Sequence, residues 1–238
     1  MPSLEKYHRA LDYSYAPGMF PAMEALTKRP ETVRRLLLSE RAEGEGRDRL
    51  VQRCAQAGIR VETADKALSR ISGKDNCFAA AVVEKRYLPL QPGRHVVLHH
   101  ISDAGNLGTI LRTALGFGYL DIAVIRPAAD CFDPHVIRAS MGAIFSLRVT
   151  EYDDFDAYHR AFPGQRLYPF MLDGSMLLSE AVAAGVPREA SLIFGNEGAG
   201  LPAGFGRMGQ AVRIPHSGDI DSLNLSVAAA IGMYAMKE

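Results

Sequence analysis

Apolar positions along the chain fall into short runs separated by stretches of helical period. In the second half, runs suited to buried strands occur at 95–101, 122–125, 147–150, 167–171, 191–194 and 211–214. Helical patterns over 108–115, 134–145, 154–161 and 178–184 separate most of them, and a last helix is expected over 222–236. The gap at 195–209 is the exception, a loop of small residues. Strands alternating with helices of this length predict right-handed βαβ crossovers and a mostly parallel sheet. Ligands then bind beyond the C-terminal ends of the strands, which directs attention to the loops after Ile101, Met171, Phe194 and Ile214. The first half reads as a smaller α/β layer. It has helices over 18–27, 47–57 (closed by Gly58) and 64–71, and strands at 36–39, 59–62 and 78–84. The stretch YLPLQPG at 87–93 has two prolines and a glycine between apolar runs and reads as a linker. The expected domains are therefore 1–90 and 94–238.

Composition narrows the class. The chain has 238 residues, 47% of them apolar or aromatic, which excludes a disordered protein. No apolar run reaches the roughly 18 residues of a membrane span, and the N-terminus MPSLEKYHRALDYSYAPGMF has no apolar signal core. Cys54, Cys77 and Cys131 form no CxxC pair, so zinc ribbons and thioredoxin-like motifs are excluded, and reduced thiols in a cytoplasmic protein are expected. Lys plus Arg and Asp plus Glu each number 27, and neutrality argues against a generic nucleic-acid binder. That zero averages two unlike halves. Residues 1–92 carry 16 basic against 12 acidic side chains, a net of +4, and residues 93–238 carry 11 against 15, a net of −4.

Three loops carry candidate chemistry. Ser102-Asp103-Ala104-Gly105-Asn106-Leu107-Gly108 precedes a helix bearing Arg112, and its glycines and Asn leave backbone N–H groups for an anion or ribose-phosphate. Gly195-Asn196-Glu197-Gly198-Ala199-Gly200-Leu201-Pro202 follows an apolar strand, and its glycines let backbone approach a ligand. Ile214-Pro215-His216-Ser217-Gly218 leads to Ser222, expected as the N-cap of the final helix with Asn224 at its second position. Each loop alone also fits ordinary turns and caps. Gly204-Phe205-Gly206-Arg207-Met208-Gly209 fits GxGxxG, but it follows a loop and precedes a strand, so it is not a dinucleotide fingerprint. His95, His99 and His100 lack a spaced carboxylate or thiol to complete a metal site, and no metal is expected. Asp153, Asp154 and Asp156 suit a solvated helix start. GxSxG and Walker A motifs are absent.

In this order, N-x-G-x-x-x-R at 106–112, GNEGAGLP at 195–202 and IPHSG with SLNLSVAAA over 214–230 resemble the SpoU (TrmH) family of RNA 2′-O-ribose methyltransferases, within the SPOUT superfamily. HVIRASMGAIF at 135–145 resembles the family's segment between its first two motifs, and the likeness covers about 95–236. The first half more loosely resembles the L30e-like substrate-binding domain of many members. Two departures stand out: Asn76-Cys77 where the family often has Gln-Gly, and Asp103-Ala104 where it often has Asp-Pro.

The resemblance implies a deep trefoil knot and a homodimer formed through the catalytic domain. It implies S-adenosylmethionine held by Gly195, Ile214, Leu223, Asn224, Leu172 and Gly174. The implied catalytic set is Arg112, Asn106, Glu197, Ser222 and Asn224, with Asn106 orienting Arg112 or the RNA. Arg112, with Lys28, Arg29, Arg34 and Arg35 of the basic half, is the candidate RNA contact. The implied reaction is methylation of a ribose 2′-hydroxyl, with ribosomal RNA favoured over transfer RNA. The rival readings are a non-catalytic RNA-binding adaptor on a degenerate scaffold, and an α/β enzyme acting on a small molecule.

Overall fold

Why the second half folds as it does follows from its strands, which are apolar on both faces and so must be covered on both. The computed structural model describes residues 4–72 and 76–237. The chain forms two units: one built of the chain up to Arg86 together with Asp130–Ser146, the other of Tyr87–Ala129 and the chain from Leu147. The first break thus falls at Arg86, before the expected linker. Residues 130–146, expected inside the second domain, group with the first. Within that unit Asp130 accepts from Tyr7 and pairs with Lys85 at 3.4 Å, and Ser14 donates to the Phe132 carbonyl.

The first unit holds β1 (Tyr13–Pro17), α1 (Met19–Lys28), β2 (Val33–Leu38), α2 (Glu45–Ala57), β3 (Val61–Thr63), α3 (Asp65–Ser72) and β4 (Ala79–Glu84). Its sheet runs β1-β4-β2-β3, antiparallel at β1/β4 and β4/β2 and parallel at β2/β3. β1 was not expected from the pattern, because its Tyr-Ser-Tyr-Ala-Pro run lacks β-branched residues. Tyr15, Leu37, Leu68, Ala80 and Val82 form a core there. Cys54, Cys77 and Cys131 are buried free thiols, and burial pushes Cys54 up to about 11.

The second unit holds β5 (His95–His99), α4 (Ala104–Gly116) and β6 (Asp121–Ile125). After α5 (Pro134–Ala139), which belongs to the first unit, come β7 (Arg148–Tyr152), α6 (Phe155–Ala161), β8 (Arg166–Pro169), β9 (Met176–Leu177) and α7 (Leu178–Ala183). The chain ends with β10 (Ala190–Phe194), α8 (Phe205–Met208), β11 (Val212–Arg213) and α9 (Leu225–Ala235). The five-stranded sheet, ordered β7-β6-β5-β10-β8, is parallel throughout, with Val97 opposite Ala123 and Ile193. Val97, Ile125, Phe155, Tyr158, Ile193 and Phe205 form its main cluster. Among the described residues no helix is long and apolar enough to cross a membrane.

Most strand ends move by one to three residues, and four larger differences from the pattern have physical causes. The helix expected over 134–145 stops at Ala139, because Met141 and Gly142 take positive φ of 53° and 80°. The 195–209 loop contains the one-turn α8, still without a strand before it. α4 begins at Ala104, not 108, since Asp103 caps it: its carboxylate accepts from the Asn106 N–H at 2.6 Å. The last helix begins at Leu225, not 222. Asn224, rather than Ser222, is its N-cap and accepts from the N–H groups of Ser226 (2.9 Å) and Val227 (3.3 Å).

Candidate active site

β5 and β10 are neighbours at the centre of the parallel sheet, so the loops that leave their C-terminal ends must meet. Glu197 joins them. Its carboxylate accepts from the Ser102 N–H (3.1 Å), the Ser102 hydroxyl (2.9 Å), the Asp103 N–H (2.9 Å) and, at 3.4 Å, the Asn106 amide. These donors sit at the start of α4, where the helix dipole favours an anion. Partial burial alone would raise the Glu197 pKa. Hydrogen bonds from the backbone of Asp103, of Glu197 itself and of Ser102, and from the Ser102 hydroxyl, outweigh it and hold the carboxyl below its ordinary value.

Asn106 extends the chain of contacts to the third loop. Its side-chain oxygen accepts from Asn224 Nδ2 at 3.1 Å. Glu197, Asn106 and Asn224 are thus one connected cluster. Arg112 is not part of it. It lies six residues beyond Asn106 on α4, exposed, with no hydrogen-bond or ion-pair partner among the described residues. Of the two roles expected for Asn106, orienting Arg112 or the RNA, the first has no contact behind it: Asn106 is held by Glu197 and holds Asn224.

Asn196 was not singled out from the sequence. Its Oδ1 accepts from the N–H groups of Gly198 (2.9 Å) and Ala199 (3.0 Å), and its Nδ2 donates to the His100 carbonyl at 2.9 Å. Asn196 and Gly200 also exchange both backbone hydrogen bonds. The available signal was Asn in a glycine-rich run, the composition of an Asx-turn.

The loop walls a cleft of about 290 Å³. Gly195, Glu197, Leu172, Ile214, Ser222 and Leu223 line it, together with Phe194 and His216. Gly174 and Asn224 do not. Gly174 instead lies where a Cβ would stand 2.7 Å from the Val212 carbonyl carbon, so it allows the 172–175 turn to press on β11. A Cβ on Gly195 would stand 2.3 Å from the Gly200 carbonyl carbon, so glycine is required for the loop to close on itself. Backbone and apolar side chains dominate this cleft, a composition suited to an organic ligand.

The basic candidates of the first unit separate by environment. Arg29 is 7% exposed and donates to the carbonyls of Phe145 (2.9 Å) and Arg86 (3.1 Å). It ties the unit together and is corrected as an RNA contact. Arg35 is largely covered and bound to Glu62 at 3.2 Å. Arg34 is exposed but paired with Asp12 at 2.7 Å. Lys28 is exposed at the end of α1. In the second unit His95 is a core histidine, donating from Nε2 to the Gln91 carbonyl at 2.7 Å with Nδ1 2.9 Å from the Tyr158 hydroxyl.

A parallel sheet with a backbone-walled cleft and a carboxylate–amide cluster beyond its central strands defines an α/β protein built to hold a small ligand beside a polar site. Residues 93–234 match the model of the SpoU rRNA Methylase family. The chain belongs to that family. It is 30% identical over 197 residues to a 23S rRNA (adenosine(1067)-2′-O)-methyltransferase of Streptomyces laurentii, covering 78% of this chain and 72% of that protein. It is 32% identical over 168 residues to a 23S rRNA (guanosine(2553)-2′-O)-methyltransferase of Bacillus subtilis, covering 66% and 64%. A ribosomal RNA small subunit methyltransferase of Syntrophobacter fumaroxidans is 31% identical over 139 residues, but that match spans only 26% of its length. Among solved structures, an AdoMet-bound rRNA methyltransferase from Sinorhizobium meliloti superposes with a TM-score of 0.77 at 27% identity, over 94% of this chain and 87% of that one.

Proposed function

We propose that this protein transfers a methyl group from S-adenosylmethionine to a ribose 2′-hydroxyl in RNA, with ribosomal RNA as the substrate class. The observation that carries the reading is the Glu197–Asn106–Asn224 cluster standing directly beside the glycine-walled cleft. Its relatives' named activities on 23S rRNA support the substrate class.

The cleft fits the cofactor. At about 290 Å³ it lies at the lower end of small-molecule sites, roughly 300–1,000 Å³, and the tight closure of the 195–200 loop that Gly195 permits sets backbone along its wall. Gly195, Leu172, Ile214 and Leu223 would hold the cofactor, with Asn224 and Gly174 shaping the walls behind them. When bound, S-adenosylmethionine supplies an electrophilic methyl group on a sulfonium, so no metal is required.

The remaining work falls to this chain's residues. The 2′-oxygen must lose its proton, which passes to solvent water, as it attacks. A guanidinium keeps its proton in a protein and cannot serve as base, so Arg112 stabilises the developing negative charge and an adjacent phosphate through its fork of donors. Glu197 fixes the start of α4 to the loop, and Asn106 passes that constraint to Asn224. Ser222 lines the cleft at the reacting end. Alignment of nucleophile and methyl, rather than covalent chemistry, supplies the rate.

Three further features belong to the same reading. Ser222 and Leu223 of the last segment line the same cleft as Gly195 of the loop after β10, a closeness that supports a deep trefoil knot. The first unit, a mixed four-stranded sheet with helices, acts as an L30e-like RNA-binding domain, with Lys28 facing solvent for phosphate contacts. Val227, Ile231 and Tyr234 form an exposed apolar stripe on α9 at i, i+4 and i+7, which supports a homodimer through the catalytic unit. A cytoplasmic location accords with ribosomal RNA as the substrate. Comparing 2′-O-methyl sites in RNA from cells with and without the protein tests the reading: a missing ribosomal site is expected, and an unchanged map would overturn it.

A further inference from the structure

A second cleft, about 630 Å³, lies on the other side of the 196–200 loop, bordered by His99, His100, Ser102, Pro127, Asn196 and Pro202. Two of its walls are already tied to the active site, since Ser102 and Asn196 both donate to the Glu197 carboxylate. It is lined by no Asp, Glu, Lys or Arg, so it suits neither a phosphate nor a cation.

Its most unusual feature is a column of rings. His99, buried, packs edge-on to Phe205 at 5.0 Å and stacks on His100 with ring centroids 3.8 Å apart. The column ends at His100, which is only half-buried, leaving one imidazole face uncovered by the column. The backbone is strained to hold it there: His100 has φ +60°, an uncommon conformation for a residue with a Cβ, and Asn196 fastens its carbonyl at 2.9 Å.

We propose that this cleft takes a nucleobase of the RNA, stacked on His100, and so orients the nucleotide whose ribose lies beside Glu197. An uncharged cleft ending in a flat aromatic face is the chemistry that recognises a base. This rests on the ribose-methylation reading only for which nucleotide is held; the stacking can be measured without turnover.

The test uses the full chain and a short single-stranded oligoribonucleotide carrying one 2-aminopurine, beside the same strand with an abasic ribose at that position. His100→Gly removes the ring while relieving the positive φ, so it leaves the fold intact, and His100→Phe restores a ring. Wild type and H100F are expected to quench the 2-aminopurine and to bind the base-containing strand about ten-fold more tightly than the abasic one. H100G is expected to lose both the quenching and that preference, to raise the KM for RNA about ten-fold, and to bind S-adenosylmethionine as wild type does. Equal preference in H100G and wild type, or no preference in wild type, overturns the proposal. Absence of methyl transfer by a wild type that still quenches would instead overturn the methylation reading alone.

Discussion

Glu197 reads in the sequence as one acidic residue among glycines, and only the fold reveals that four hydrogen-bond donors from another loop converge on it. Its pairing partners lie about 95 residues upstream, at a distance no local pattern reports. Arg112, in contrast, was legible because its spacing from Asn106 belongs to a motif, while its environment was not. Because its folded pKa is lowered, Glu197 adds stability that is present above the unfolded carboxylate value, roughly 4.3, and is lost as pH falls through the lower folded value. His99 titrates higher. Burial first, and the neighbouring His100 second, lower it from 6.5 to about 4, so its contribution is complete above 6.5 and fades as pH falls through about 4. Urea midpoints measured from pH 7 to pH 3 should therefore fall in two stages. Glu197→Gln is expected to shrink the more acidic stage, which Asp12 and Asp65 share because their carboxyl pKa values are also lowered, to keep the first, and to cost about 1–2 kcal/mol at pH 7, since a neutral amide replaces a charged acceptor. An unchanged acid profile in E197Q would contradict the role given to the carboxylate.

At the scale of elements, the parallel sheet was readable because its strands are continuous apolar runs separated by helical periods. Helix starts were not. Ser222 and Asn224 are both good caps, and the choice fell to Asn224 because the same side chain also reaches Asn106. Asn224→Ala is expected to cost about 1 kcal/mol for the cap, lowering Tm by about 2–4 °C. It should also slow methyl transfer more than the stability loss explains, because Asn106 loses its donor. Kinetics at a temperature where the variant is fully folded separate the two effects. The exposed stripe on α9 carries a second test. Ile231→Asp is expected to shift the protein from dimer to monomer in sedimentation equilibrium, and a dimer of unchanged affinity would move the interface elsewhere.

Over the whole molecule, zero net charge conceals a basic first half and an acidic second half. The structure reduces the apparent basic surface further, because Arg29 is buried on carbonyls, and Arg34 and Arg35 are paired with Asp12 and Glu62. Lys6, Lys28, Arg53 and Lys66 of the first unit remain exposed, so phosphate contacts would rest on these, and RNA affinity should fall as salt rises. Lys28→Glu is expected to weaken binding several-fold for every RNA sequence alike and to reduce the salt slope by about one; filter binding at several salt concentrations measures both. The knot that the family resemblance implies has no signature in periodicity, which records what each element buries and not the order in which the chain passes itself. The central claim is methylation of ribose with Arg112 at the reacting oxygen, and one measurement tests it most directly. Wild type and Arg112→Ala are each incubated with ribosomal RNA and S-adenosylmethionine labelled in its methyl group, and the RNA is digested to nucleosides. Label in a 2′-O-methyl nucleoside for wild type, with none for R112A despite normal cofactor binding, is the expected result. Label on a base, or full transfer by R112A, would contradict it.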